Sequence, residues 1–355
     1  MNTFDKIRKK LSGRGLDAML VTSEANRKYA TGFHSSAGMA LITKEGAYFY
    51  IDSRYIEAAQ KNISDAVVEM TDINTSYNDK VNAVIEKYGI KSLGVEDGVL
   101  SYAEYNQLQA KLKATLVPAQ DLLTELRLSK SKVEVEKLTA AQRIAEKALD
   151  EVLGIIKAGM TEKQIAAELI YRMLRNGAEG IAFDPIVVSG VRSSMPHGVP
   201  ADVEIKKGDF VTLDFGCKLD GYCSDMTRTV AIGCVTDEMS LVYNTVLKAQ
   251  EAGISIAKAG LTGAEVDAAA REVITKAGYG EYFGHGFGHG LGLDVHEAPT
   301  AGLSGKTPMP AGAVISAEPG IYLPGSFGVR IEDVIVLEEK GCKNLMKAPK
   351  DLIIL

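Results

Sequence analysis

The sequence predicts an α+β protein of two domains: an alternating α/β unit over residues 1–125, then a larger domain over 126–355 built from two related halves. Three observations carry this. The chain has 355 residues, more than one ordinary hydrophobic core accommodates. Its first third alternates short β-rich runs with amphipathic helical stretches. The remainder repeats itself at offsets of 101 to 107 residues.

In the first domain a helix near Thr3–Leu11 leads to a strand at Ala18–Val21. Strands follow at Met39–Ile42 and Ala47–Ile51, and a helical stretch begins near Ser53. Further strands near Val67–Met70 and Ser92–Val95 alternate with helices at about Tyr77–Lys87 and Tyr102–Lys113. This order predicts a sheet with helices packed on it. The segment carries no phosphate-binding loop. His34, in ATGFHSSAG, reads as a loop histidine, with a role at a site contributed by another domain or subunit left open. The polar Leu122–Lys132 stretch reads as the linker, and a long helix is expected from about Val133 to Ile156.

The repeat begins after that helix. Lys157–Ile165, KAGMTEKQI, parallels Lys258–Val266, KAGLTGAEV, at an offset of 101. Each pairs a glycine stop with a Thr-x-x-Gln or Thr-x-x-Glu capping box. GDFVTLDFG, ending at Gly216, parallels GAVISAEPG, ending at Gly320, at 104, and Asp225 parallels Glu332 at 107. Each half therefore places one acid at the end of a glycine-led apolar strand and a second acid one hairpin later. Packed face to face on a pseudo-twofold axis, the halves would gather four carboxylates, with helices outside a joint sheet.

A net charge of −6 argues against a nucleic-acid partner, which would want a basic face. No run approaches the ~20 apolar residues of a membrane span. The start, MNTFDKIRKKLSGRG, lacks the apolar core of a secretory signal. Cys217, Cys223, Cys234 and Cys342 show no pairing pattern, so reduced thiols in a cytoplasmic protein are expected.

The chemistry concentrates in few residues. Of five histidines, His285, His289 and His296 fall within Glu281–Pro299, a glycine-rich stretch. Four ionised carboxylates cannot share a small site without cations. Asp214, Asp225, Glu318 and Glu332 with one imidazole form an oxygen-rich set for two divalent ions. Manganese suits it best, with cobalt, iron or zinc accommodated. Such a pair makes water a nucleophile at neutral pH and polarises the carbonyl it attacks, so the reaction class is metal-assisted hydrolysis. His197 and the histidines that bind no metal are placed to hydrogen-bond the developing intermediate. Arg330 is placed to orient Glu332 or to bind a substrate carboxylate.

The ordered set Asp214, Asp225, His289, Glu318 and Glu332, with HGFGHGLGLDVHE and AEPGIY, resembles the pita-bread metallopeptidases, family M24. An N-terminal α/β domain of this size is similar to the creatinase-like domain of the Xaa-Pro peptidase branch, aminopeptidase P and prolidase. The resemblance implies that Asp214 binds one metal, that Asp225 and Glu332 bridge both, and that His289 and Glu318 complete the coordination of the second, with Glu318 also shuttling protons. It assigns His285 to the substrate side, His197 and His296 to the scissile carbonyl and the intermediate, and Tyr322 and Arg330 to substrate-side positions. It implies peptide substrates with proline second and a homodimer paired through the N-terminal domains.

An Xaa-Pro aminopeptidase is the leading expectation and an Xaa-Pro dipeptidase the alternative. Ala298, Pro299 and Thr300 follow His296-Glu297 where some prolidases carry an arginine, leaving Arg192, Arg330 or a partner residue to bind a dipeptide carboxylate. The long N-terminal domain argues against methionine aminopeptidase. The complete metal set argues against a creatinase-like amidinohydrolase and against an inactive binding relative.

Overall fold

The computed structural model describes residues 2–355 and divides into two compact units, Met1–Arg127 and Leu128–Leu355. The first unit runs α1 (Thr3–Gly13), β1 (Ala18–Val21), α2 (Glu24–Thr31), β2 (Met39–Thr43), β3 (Ala47–Ile51), α3 (Ile56–Asn62), β4 (Val67–Met70), α4 (Tyr77–Tyr88), β5 (Ser92–Val95), α5 (Tyr102–Lys111), β6 (Thr115–Pro118) and α6 (Gln120–Leu128). Its six strands form one mixed sheet in the order β4-β3-β2-β1-β5-β6. Successive side chains of a strand face opposite ways. Met19, Val21, Phe49 and Ile51 accordingly join the core on one face, and Ala18, Leu20, Tyr48 and Tyr50 the core on the other. Covering both faces explains why these strands read as unbroken apolar runs.

Two local expectations fail here. The stretch expected as a linker is mostly helix α6. Leu122, Leu123 and Leu126 recur at helical spacing, and the two former are fully buried in the first unit's core. Glu125 between them and the flanking Asp121 and Arg127 mask that stripe. Helix α2 and strand β6 are also absent from the sequence reading.

The second unit opens with α7 (Lys132–Leu153), capped by Ser131 and Glu134, and α8 (Glu162–Arg175). Next come β7 (Gly180–Ile181), β8 (Ile186–Ser189), β9 (Phe210–Phe215), β10 (Cys217–Leu219), β11 (Tyr222–Cys223) and β12 (Met226–Ala231). The second half follows the same plan: α9 (Asp237–Ile256), α10 (Gly263–Lys276), β13 (Gly288–Gly290), β14 (Glu297–Ala301), β15 (Val314–Ala317), β16 (Gly320–Leu323), β17 (Phe327–Arg330), β18 (Asp333–Glu338) and β19 (Gly341–Asn344).

The repeat is visible in three dimensions. Thr161 and Thr262 both form complete capping boxes, with Gln164 and Glu265. Gly159 N donates to Ile205 O and Gly260 N to Met309 O, at 3.0 and 2.9 Å. Both glycines sit at φ near +90° (+89° and +86°), where a side chain would be strained. Helices α7 and α8 pack Leu149, Val152, Leu169 and Met173 against Val211, Leu213 and Phe215. Helices α9 and α10 pack Val246, Val266 and Ile274 against Ile315, Ala317 and Ile335. Each fully buried side chain of this size contributes about 1.5–3 kcal/mol, so the acids stand on a rigid floor.

The expected joint sheet is instead four ladders, the small β11-β10-β7 and β16-β17 beside the two larger ones, β12-β9-β8 and β14-β13-β15-β18-β19. The two larger ladders meet where the chain leaves β17 and changes partner to enter β18. There Glu332 N donates to Thr227 O at 3.1 Å and Thr229 Oγ1 to Arg330 O at 3.0 Å. The buried pair Arg228–Asp333 closes the seam at 2.9 Å.

Candidate active site and metal centre

The acids lie at corresponding places in the two halves. Asp214 is the fifth residue of β9, and Asp225 immediately precedes β12 after the β10–β11 hairpin. Glu318 immediately follows β15, and Glu332 immediately precedes β18 after the β16–β17 hairpin. Asp214, Asp225 and Glu332 are buried. Together with Glu318, His197, His285, His289, His296 and Arg330 they line one cavity of about 520 Å³.

Asp225, His289 and Glu332 each present a ligand atom within 4.8 Å of the others. His289 Nε2 lies 3.2 Å from Glu318 Oε1 and 3.5 Å from Asp225 Oδ2. A carbonyl can only accept, so the 3.1 Å bond from His289 Nδ1 to Gly290 O fixes the proton on Nδ1 and turns Nε2 toward the acids. Ser316 Oγ accepts from the His289 backbone N and donates to Glu318 Oε1, both at 3.0 Å, tying the strand that carries His289 to the acid. Gly288 has to be glycine, because a Cβ there would collide with the Ser316 carbonyl.

Burial raises Asp225 and Glu332 well above the usual carboxylate range, and their neighbours' negative charges push them further. Burial also raises Asp214, against the pull of Arg330. Glu318 resists its burial and drops to about 2 beside His289, whose own value the acids lift to about 9 despite burial. The cluster is thus short of positive charge. Asp214 Oδ1 and Glu332 Oε1 are buried with no hydrogen-bond donor among the described residues, whereas their other oxygens are bound by Arg330 and Thr227. Buried acceptors left without donors are costly unless a cation takes that place. The donor set fits hard divalent ions.

A second chain of contacts borders the candidate metal ligands. His285 Nδ1 donates to Gly286 O at 2.8 Å, leaving Nε2 to accept from Tyr322 OH at 2.9 Å. Tyr322 OH in turn accepts from Arg330 Nη1 at 2.8 Å. Burial lowers His285 below the usual imidazole value, consistent with that neutral tautomer. The ring of His296 packs edge-on against His289, centroids 4.3 Å apart. Burial and His289 lower its pKa.

Arg330 and Glu332 do not share a regular strand, since β17 ends at Arg330. They meet at Thr227, whose Oγ1 accepts from Arg330 Nε at 3.1 Å and donates to Glu332 Oε2 at 2.8 Å. Thr227 stands opposite Asp214 in the ladder, a pairing that only the folded register exposes. Ser316 was findable, being two residues before Glu318 where the apolar strand ends. Glu297, beside His296, is buried against Lys130 Nζ at 2.8 Å. His34 is exposed beside Glu24 in the first unit. Arg192 is committed to Glu162 and the Val199 carbonyl, which removes it as a carboxylate clamp.

Residues 136–339 match metallopeptidase family M24, and residues 4–129 match the creatinase/prolidase N-terminal domain. An uncharacterized peptidase of Bacillus subtilis, YqhT, is 43% identical over 353 residues, 99% of each chain. The structure resembles an Xaa-Pro dipeptidase from Bacillus anthracis with a TM-score of 0.96, at 42% identity over 99% of both chains. It resembles an X-Pro aminopeptidase from Thermotoga maritima with a TM-score of 0.92, at 39% identity over 97% of this chain and 99% of that one. The shared architecture is a creatinase-type α/β unit followed by a pita-bread unit. The chain belongs to metallopeptidase family M24.

Proposed function

We propose that this chain is a two-metal Xaa-Pro aminopeptidase, releasing the residue that precedes a proline at the second position of a peptide. The observation that carries the reading is the cluster of four carboxylates, three of them buried, and one imidazole lining one cavity, two of its oxygens lacking donors among the described residues. Asp214 would hold one ion, Asp225 and Glu332 both, and His289 and Glu318 the second. Two divalent cations there, manganese first by donor type, supply Lewis acidity that makes water a nucleophile at neutral pH and polarises the scissile carbonyl.

The protein's own groups do the rest. Glu318, ionised and held by Ser316, takes the proton from the attacking water and returns it to the leaving nitrogen. His197 and His296 donate to the oxyanion as it develops. Tyr322 and Arg330 hold His285 on the substrate side. Phe183, Ile186, Val199 and Val295 offer apolar wall for the residues flanking the bond. The first unit's role would be pairing with a second copy, in the cytoplasm. Among the described residues no helix is long and apolar enough to cross a membrane.

The preference for longer peptides rests on charge. Arg330 is the one lysine or arginine among the described residues lining the cavity, and Asp214, Tyr322 and Pro196 O occupy it. A dipeptide carboxylate therefore finds no uncommitted lysine or arginine among the described residues lining the cavity. The contrary reading, a strict dipeptidase, is favoured by the name of the Bacillus anthracis relative. Turnover of Xaa-Pro, Xaa-Pro-Yaa and Met-Ala-Yaa peptides with Mn²⁺ separates them. We expect Xaa-Pro-Yaa to be cleaved fastest. Cleavage of the dipeptide alone would establish the second reading, and preference for the Met-led peptide would overturn both.

A further inference from the structure

Two acid–arginine pairs outside the cavity hold the segments that carry the non-ligand histidines. In the first half Glu162, at the start of α8, has a fully buried side chain. Its carboxylate accepts from Ser189 N at 2.8 Å, Ser189 Oγ at 3.0 Å, Ala201 N at 3.0 Å and Arg192 Nε at 3.1 Å. Arg192 then donates to Val199 O at 2.7 Å. The whole 189–201 segment, with His197 inside it, is thereby closed onto one carboxylate.

In the second half Asp267, on α10, is equally buried. It accepts from Arg271 Nε at 2.7 Å and from Phe287 N at 2.9 Å. Arg271 donates to Phe283 O at 2.8 Å and to the carbonyl of His285 itself at 2.7 Å. Its guanidinium also lies over the Phe283 ring, 4.1 Å from the centroid, and that ring packs edge-on against His285. The pairs are not copies of one ancestral pair. The 101-residue offset puts Glu162 opposite Gly263, and Arg192 lies on the 3-10 helix Gly190–Ser194, distant in sequence from its acid, whereas Arg271 lies on the same helix as its own. Each half has its own solution to the same problem. A buried carboxylate carrying that many donors is a specific arrangement, and breaking one partner leaves an uncompensated charge.

We propose that Glu162–Arg192 and Asp267–Arg271 are positioning pairs, the first setting His197 and the second setting His285 against the substrate. The proposal rests on the catalytic reading above for what the histidines do. A displacement of about 1 Å at such a group costs on the order of 10²-fold in rate. Arg271→Met and Arg192→Met should therefore lower kcat by about 10- to 100-fold, with bound metal unchanged and KM within about twofold.

A double-mutant cycle distinguishes positioning from general loosening. If Arg271 acts through His285, Arg271→Met costs little in a His285→Ala background yet keeps its full effect in His197→Ala. Arg192→Met should show the converse. Equal fold-losses in all backgrounds, or unchanged kcat, overturn the proposal. If Arg271→Met does not accumulate folded, Asp267→Asn, which keeps the side-chain shape, replaces it in the cycle. Amide hydrogen exchange on metal-loaded protein without substrate supplies the second readout. Protection should fall over 283–287 in the Arg271 variant and over 189–201 in the Arg192 variant. Unchanged exchange there also overturns it. A wild-type chain inactive on every Xaa-Pro peptide defeats the catalytic reading while the exchange result still decides the positioning.

Discussion

Replacing Asp214 by asparagine separates catalysis from stability, and the structure sets both magnitudes. Asp214 Oδ1 has no donor among the described residues and is the oxygen available to a cation, while Oδ2 accepts from Arg330. The substituted amide keeps the shape and one accepting oxygen but loses the charge that a divalent ion requires. Activity on Xaa-Pro-Yaa should fall by at least ~10³-fold, the upper end of the loss for removing one charge-stabilising group.

Stability responds differently. Arg330 and Asp214 side chains are 4% and 11% exposed, and removing one partner of such a pair costs about 3–5 kcal/mol. Here the loss should be smaller. Arg330 still donates to Tyr322 OH and Thr227 Oγ1, and one of the cluster's like charges has gone. At roughly 2–4 °C per kcal/mol, the melting temperature of cation-stripped protein should fall by less than about 10 °C. Hydrolysis assays with Mn²⁺ and calorimetry on the same preparation measure the two effects. Activity above a tenth of wild type, or a variant that does not fold, would refute the reasoning.

The pH dependence follows from two opposed shifts. Glu318, lowered from 4.5 to about 2, contributes stability above its unfolded value, and that contribution is lost as pH falls through about 2. His289, raised from 6.5 to about 9, contributes below 6.5, and that is lost as pH rises through about 9. The raised carboxyls of Asp225 and Glu332 also lose their contribution as pH rises. Cation-stripped protein should therefore lose stability between pH 6.5 and 9, whereas deprotonated His289 is the form a cation binds. The rise in melting temperature on adding Mn²⁺ should grow across that window, and a constant or shrinking rise would contradict the assignment. Thr227→Val removes the donor to Glu332 Oε2 and the acceptor for Arg330 Nε. Metal affinity by competitive chelation should drop about 10- to 100-fold with the fold kept, and unchanged affinity would show that Thr227 does not orient Glu332.

What could be read from the chain divides along physical lines. The acids of VTLDFG and ISAEPG were legible because charge within an apolar strand is anomalous, and the repeat because capping boxes and glycines recur in fixed register. The Leu122–Leu128 helix was hidden because its apolar stripe is only two turns long and is flanked by charge. Thr227 and Arg192 act through partners that no local pattern marks, whereas Arg271 meets Asp267 at i,i+4 on its own helix and only its reach to the His285 carbonyl is hidden. Thr227 reaches Glu332 105 positions away, and Arg192 meets Glu162 30 positions away. The switch from β17 to β18 was equally invisible, since no glycine, proline or turn residue separates Arg330 from Asp333 and the stretch reads as one strand.

Asp214, Asp225, His289, Glu318 and Glu332 together holding two divalent ions is the central claim. Mass-spectrometric metal counting on dialysed protein tests it directly, comparing wild type with Glu332→Gln, in which the carboxylate placed to bridge both ions is neutralised. Two ions per wild-type chain are expected, and one or none in the variant, with the fold intact by circular dichroism. A wild-type chain that retains no divalent ion, or a variant that still binds two, would contradict the claim.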